Sequence, residues 1–158
     1  MIDDSENKEL PFHIELLFDN KLLDIVSFLC VISLFSRSRK GISLDKAAFY
    51  FAIVTSLNIS DVINEDFFKQ KSIKYDVDIR FIQIKEKSKK IVVYLLNSGL
   101  VDLVQTSELC IRVNKDGSNV VRKLNSSFYK DILIKTKKVK KEIAFTNKNL
   151  KKLLGVDL

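Results

Sequence analysis

Five side chains able to meet a polyanion recur at helical spacing in the middle of the chain: Gln83, Lys87, Lys90, Tyr94 and Asn97. Steps of four, three, four and three residues place them in one stripe on a 3.6-residue period. Amine and phenol groups suit phosphate oxygens, and amides can also reach base edges. Arg112 and Lys115 follow closely enough to touch an adjacent backbone. A denser positive run comes later, with Lys135, Lys137, Lys138, Lys140 and Lys141 filling five of seven positions. On a helix these lysines repel one another, and phosphates or an acidic partner relieve the repulsion. The competing interpretation is a solvated face. Glu86 and Lys90, for instance, stand at i,i+4 in the order that favours a surface ion pair. A membrane surface is the other alternative for the lysine run, although anchoring aromatics are sparse there.

Bond-making chemistry has far less to build on. His13 is the only histidine, and its segment offers Glu15 but no nucleophile. A structural role suits it better than general-base catalysis. The motifs GxxxxGK[ST], GxGxxG and HExxH do not occur. Acid pairs such as Glu65/Asp66 and Asp76/Asp78 are ordinary in a chain with 20 acids. A metal-dependent nuclease would need carboxylates that converge in space, which sequence spacing neither supplies nor forbids. Cys30 and Cys110 lie far apart in apolar runs, which fits buried free thiols in a reducing cytoplasm better than a disulfide. With one His and no CxxC, structural zinc has no ligand set. The expectation is a non-catalytic cytoplasmic protein with no cofactor and no metal.

Charge is unevenly placed along the 158 residues. Residues 1–70 carry 7 Lys+Arg against 11 Asp+Glu, whereas residues 71–158 carry 20 against 9. The first part is therefore net −4 and the second net +11, so only the second half is suited to a polyanion. Hydrophobic content of 46% supports a folded core, and four Gly with one Pro favour helices joined by short connections. The opening MIDDSENKEL is acidic and polar, unlike a secretory leader. The longest apolar stretch, 22–35, is interrupted by Asp24, Ser27 and Ser33 and is shorter than a membrane span requires.

The elements that position these residues can be read in order. Residues 1–19 form an N-terminal arm, with Phe12–Phe18 a short strand or a helical turn. Asp19 or Asn20 can cap a helix from Lys21 to about Phe35 that is apolar nearly all round. Such a helix belongs either in the core or between two subunits. Ser43 caps a second helix to about Leu57, with Asp45 in its first turn. Ser60-Asp61 begins a short helix over Val62–Gln70. VDIRFIQI, within residues 71–84, alternates like a strand but also extends the following helix backwards. That helix buries Ile84, Ser88, Ile91 and Leu95, with Ile82 and Val93 on the other side, a pattern that favours a covering partner. Gly99 provides a left-handed exit. Leu100–Val104 and Leu109–Val113 then pair around a turn at Thr106-Ser107-Glu108. NKDG reads as a turn, Val120–Leu124 as a further strand, and Ser126 or Ser127 as the cap of a basic C-terminal helical region.

The predicted class is therefore mainly α with a small β wing: a winged helix-turn-helix-like domain over residues 20–124 and a basic helical extension over residues 125–158. ISLDKAAFYFAIV, KKIVVYLLNSGLVDLV with its LNSGL step, and the apolar first helix together resemble the middle component of bacterial three-component ABC-ATPase conflict systems, including the Lamassu antiviral systems. The resemblance covers about residues 20–117 and rests on hydrophobic pattern. It implies a small, non-enzymatic, winged-helix-like subunit that bridges an SMC-like ABC ATPase and an effector, often a nuclease, and assists DNA engagement. Two other classes stand beside it: a stand-alone winged-helix transcriptional regulator, favoured by the basic stripe, and a small nuclease, which no motif supports.

Overall fold

A computed structural model describes residues 20–35, 39–56 and 74–153. The N-terminal arm with His13, the helix expected over Val62–Gln70 and the acid pair Glu65/Asp66 lie outside the described residues. Helix α1 spans Lys21–Ser33, strand β1 Ile42–Ser43, helix α2 Leu44–Ser56 and helix α3 Lys74–Asn97. Strands β2 (Val101–Gln105) and β3 (Leu109–Val113) follow, then helices α4 (Lys115–Lys123), α5 (Ser127–Glu142) and α6 (Asn147–Leu153). The architecture is mainly helical with a small three-stranded antiparallel sheet in the order β1-β3-β2.

The helix starts follow from side-chain oxygens placed ahead of apolar runs. Asn20 accepts a hydrogen bond from the Leu23 N–H at 3.1 Å, with Asp24 in the first turn. Ser126 accepts from the Phe128 N–H at 3.2 Å and starts α5. Residues 71–84 were open between strand and helix; from Lys74 onward they are helix. No Gly or Pro interrupts the stretch from Lys74 to Asn97, and Phe81, Ile84, Ser88, Ile91 and Leu95 continue one buried or half-buried stripe. Ser88, fully enclosed, donates to the Ile84 carbonyl at 2.7 Å, so its hydroxyl does not weaken that stripe.

Helix α3 ends as its glycine predicts. Gly99 has φ +70°. The Leu100 N–H donates to the Leu95 carbonyl and the Gly99 N–H to the Leu96 carbonyl, both at 3.0 Å. The chain leaves directly into β2, which pairs with β3 so that Val101 faces Val113 and Gln105 faces Leu109. β1 adds to the other edge of β3 through Ile42–Ile111 and Ser43–Cys110.

One expectation needs correcting. Val120–Leu124 is not a strand, since residues 115–123 form α4. Two β-branched valines suggested extension, but the preceding NKDG is a helix start. Asn114 accepts from the Gly117 N–H at 3.0 Å, Asp116 sits in the first turn, and Arg122 and Lys123 sit in the last. Asn114 also donates to the Gly99 carbonyl at 2.8 Å, tying the exit of α3 to the start of α4.

The core is built around α1 and α2. Ser27–Ile32 and Ala47–Val54 are buried without a break, so each helix is covered on all sides. α1 therefore takes the core position of the two left open above. Both helices touch α3, and both also touch α5. Ile132, Thr136, Val139 and Ile143 are buried, and the three apolar ones join the same cluster as Phe28, Phe49 and Leu95. Phe49 meets Tyr50 and Phe145 edge-to-face, each at 5.3 Å between ring centroids. Burying a side chain of this kind contributes about 1.5–3 kcal/mol relative to exposure. The basic segment beyond Asn125 is thereby packed into the body through α5.

Candidate functional site

The residues expected to touch a polyanion fall on two surfaces. On α3, Gln83, Lys87, Lys90, Tyr94 and Asn97 are all exposed, as their spacing requires. They are interleaved with apolar side chains: Ile82 is 60% exposed, Val93 56% and Tyr94 itself 51%. Across from them the first turns of α1 contribute Lys21, Asp24 and Ile25, and the two helices border a groove of about 660 Å³. Ile25, Ile82, Ile91 and Tyr94 form its apolar part, and Lys21, Lys87 and Lys90 are its cationic members.

Several of the α3 lysines are already engaged. Lys87 pairs with Asp24 of α1, Lys85 with Asp45 of α2 at 2.7 Å, and Lys89 with Glu86 at 2.6 Å. The Glu86 partner is thus Lys89 one turn away, in place of the Glu86–Lys90 pair that the sequence offered. A hydrogen bond and the charge of Lys89 hold the Glu86 carboxyl below its ordinary range. Among the described residues Lys90 has no ion pair. Exposed pairs of this sort are worth about 0–1 kcal/mol, so they orient these lysines more than they stabilise the fold.

The β2–β3 hairpin is not basic: residues 101–113 carry Arg112 against Asp102 and Glu108. Arg112 lies directly opposite Asp102 in the register and pairs with it at 3.6 Å. Leu103 and Leu109 are 48% and 53% exposed, and the turn between the strands carries Glu108. Lys115 is exposed in the first turn of α4.

The second surface is α5. Lys137 and Lys141 are exposed, whereas Lys135 and Lys138 are half-buried. Lys140 is exposed but occupied: its ammonium donates to the Leu34 carbonyl at 2.9 Å and lies 4.6 Å from the centre of the Phe35 ring. It thereby satisfies a free carbonyl at the end of α1, where a cation is favoured. Sequence reasoning missed Lys130. Its steps of four, three and four to Ile134, Lys137 and Lys141 put it on the same exposed stripe, a signal that was present in the spacing.

Among the described residues no three His, Cys, Asp or Glu side chains converge to hold a metal ion. Cys30 and Cys110 are buried and free. No helix of the described residues is long and apolar enough to cross a membrane. Comparison of the chain with family models, with curated proteins and with solved structures finds no match.

Proposed function

We propose that this chain is a non-catalytic, winged-helix-type bridging subunit of a bacterial defence complex, seated between an SMC-like ABC ATPase and an effector. The order α1-β1-α2-α3-β2-β3 with sheet order β1-β3-β2 supports the winged-helix assignment, and the resemblance over residues 20–117 supports the assembly. The observation that carries the docking reading is apolar. Ile82, Val93, Tyr94, Leu103 and Leu109 stand exposed on the helix and hairpin that a DNA-reading winged helix would turn to its target. Burying such area gains roughly 25 cal/mol per Å² against a protein and little against phosphate. The partner element that fits is an apolar ridge with carboxylates, its side chains filling the α1–α3 groove and its acids meeting Lys21 and Lys90.

The test is co-expression with an SMC-like ATPase encoded beside this gene, followed by gel filtration. The chain should elute with the ATPase. Ile82→Asp combined with Val93→Asp should release it while leaving the thermal unfolding curve in place, because both positions are exposed. The alternative reading, a stand-alone regulator, is favoured by the exposed Gln83–Asn97 stripe. Elution of this chain alone as a dimer that binds one discrete operator would replace the docking reading with that one.

A further inference from the structure

We infer that the outer face of α5, through Lys130, Lys137, Lys138 and Lys141, is a surface for the sugar-phosphate backbone of duplex DNA, separate from the α3 face. The inference gives the proposed bridging subunit a nucleic-acid contact and in that sense rests on that reading, but it stands on its own residues. Among the described residues none of these four lysines is in an ion pair, and no acceptor holds them, whereas Lys85, Lys87 and Lys89 of α3 and Arg112 of the hairpin each have a carboxylate partner. Lys130, Lys137 and Lys141 span about 16 Å along one side of the helix at its 1.5 Å rise, with Lys138 beside them. Lys148 and Lys151 of α6 are also exposed, while Asp131 and Glu142 are the acids of α5 itself. Lys141, in the last turn of α5, also matches the helix dipole.

The chemistry of the row selects the ligand. Amines alone, with no Gln, Asn or Arg among them, position a backbone and do not read bases. A single-strand site needs aromatic platforms, and Phe128 is the only exposed aromatic on α5. A membrane surface needs a continuous apolar face to insert, whereas the outer side of α5 offers only Ile134 and Phe128, because Ile132, Val139 and Ile143 are committed to the core. Duplex DNA, held without sequence preference, remains. α1 and α2 each touch both α3 and α5, and α3 and α5 share no extensive contact, so the two basic faces belong to separate helices.

Fluorescence anisotropy with the purified full chain and a labelled duplex tests this directly. Binding should be indifferent to sequence, and log K should fall against log salt with a slope of about −3 to −4, roughly 0.9 for each phosphate neutralised. Lys130→Glu, Lys137→Glu and Lys141→Glu together should weaken binding by at least about tenfold, and the three Gln replacements should do so less. Lys87→Glu with Lys90→Glu should weaken it several-fold less than the triple change on α5. Circular dichroism should show all three variants folded. No binding by the parent chain, loss on changing Lys87 and Lys90 instead, preference for single strands, or binding to anionic phosphatidylserine vesicles that duplex cannot compete would each overturn the inference. Since no ATPase is present, failure here leaves the docking experiment untouched.

Discussion

Cys30 is fully enclosed in α1, and burial pushes its thiol from the ordinary 9.0 up to about 11. Below pH 9 both folded and unfolded chains keep the proton, and stability does not depend on this group. Between pH 9 and about 11 the unfolded chain releases it and the folded chain does not, so unfolding becomes easier as pH rises. The loss is about 1.4 kcal/mol per pH unit, on the order of 2 kcal/mol across the window. Burial also raises the Tyr50 phenol, which adds a loss of the same sign. Urea midpoints measured from pH 8 to 11 should therefore fall, and Cys30→Ala should remove part of the slope while leaving the Tyr50 share. An unchanged slope in that variant would contradict the assignment. At this scale the sequence was a partial guide: it placed both cysteines in apolar runs, but it could not pair Lys87 with Asp24, 63 positions earlier. Long charged side chains find partners in space, and spacing along one helix reports only the neighbours on that helix.

Helix ends were the most legible elements where the cap is local. Gly99 was readable because a left-handed residue after an apolar period is a backbone requirement. Gly117 was misread because its requirement comes from elsewhere: an added Cβ would overlap the Leu100 carbonyl oxygen, at the exit of α3 just ahead of β2. The two glycines therefore differ in what a methyl group costs. At Gly99 nothing stands within 4 Å, and Gly99→Ala should cost about 1 kcal/mol from backbone strain alone. At Gly117 the backbone must move, and Gly117→Ala should cost about 1–3 kcal/mol more than that. Chemical denaturation of the two variants measures the difference, and equal effects would show that α4 does not press against the exit of α3. The cap that Asn114 gives α4 is local and was there to be read, whereas its bond to the Gly99 carbonyl, 15 residues back, was not.

For the whole molecule, the decisive arrangement is α1 and α2 packed against both α3 and α5. Val139 is 1% exposed in that core, so Val139→Asp buries a carboxylate without a partner. The expected cost is about 4 kcal/mol or more, and it should fall on the entire body. Circular dichroism and a tyrosine probe should lose their cooperative transition together. A C-terminal helix that melts by itself while α1–α3 stay folded would mean that α5 is appended and not integral. Lys130, Lys137 and Lys141, facing outward on the same helix, carry no such penalty when changed.

What the sequence determined by itself was periodicity and local backbone chemistry: the apolar stripe of α3, the Gly99 exit, the paired strands, the Asn20 and Ser126 starts and the uneven charge. These depend on residues within a turn or two of one another. The tertiary structure decided what distance along the chain conceals. It turned residues 74–84 into helix, NKDG into the start of α4 and α5 into a core element, and it left Ile82 and Val93 uncovered. It also separated engaged lysines from available ones. Burial and ion pairing are properties of the assembled surface, whereas a sequence period fixes only which side chains share a face.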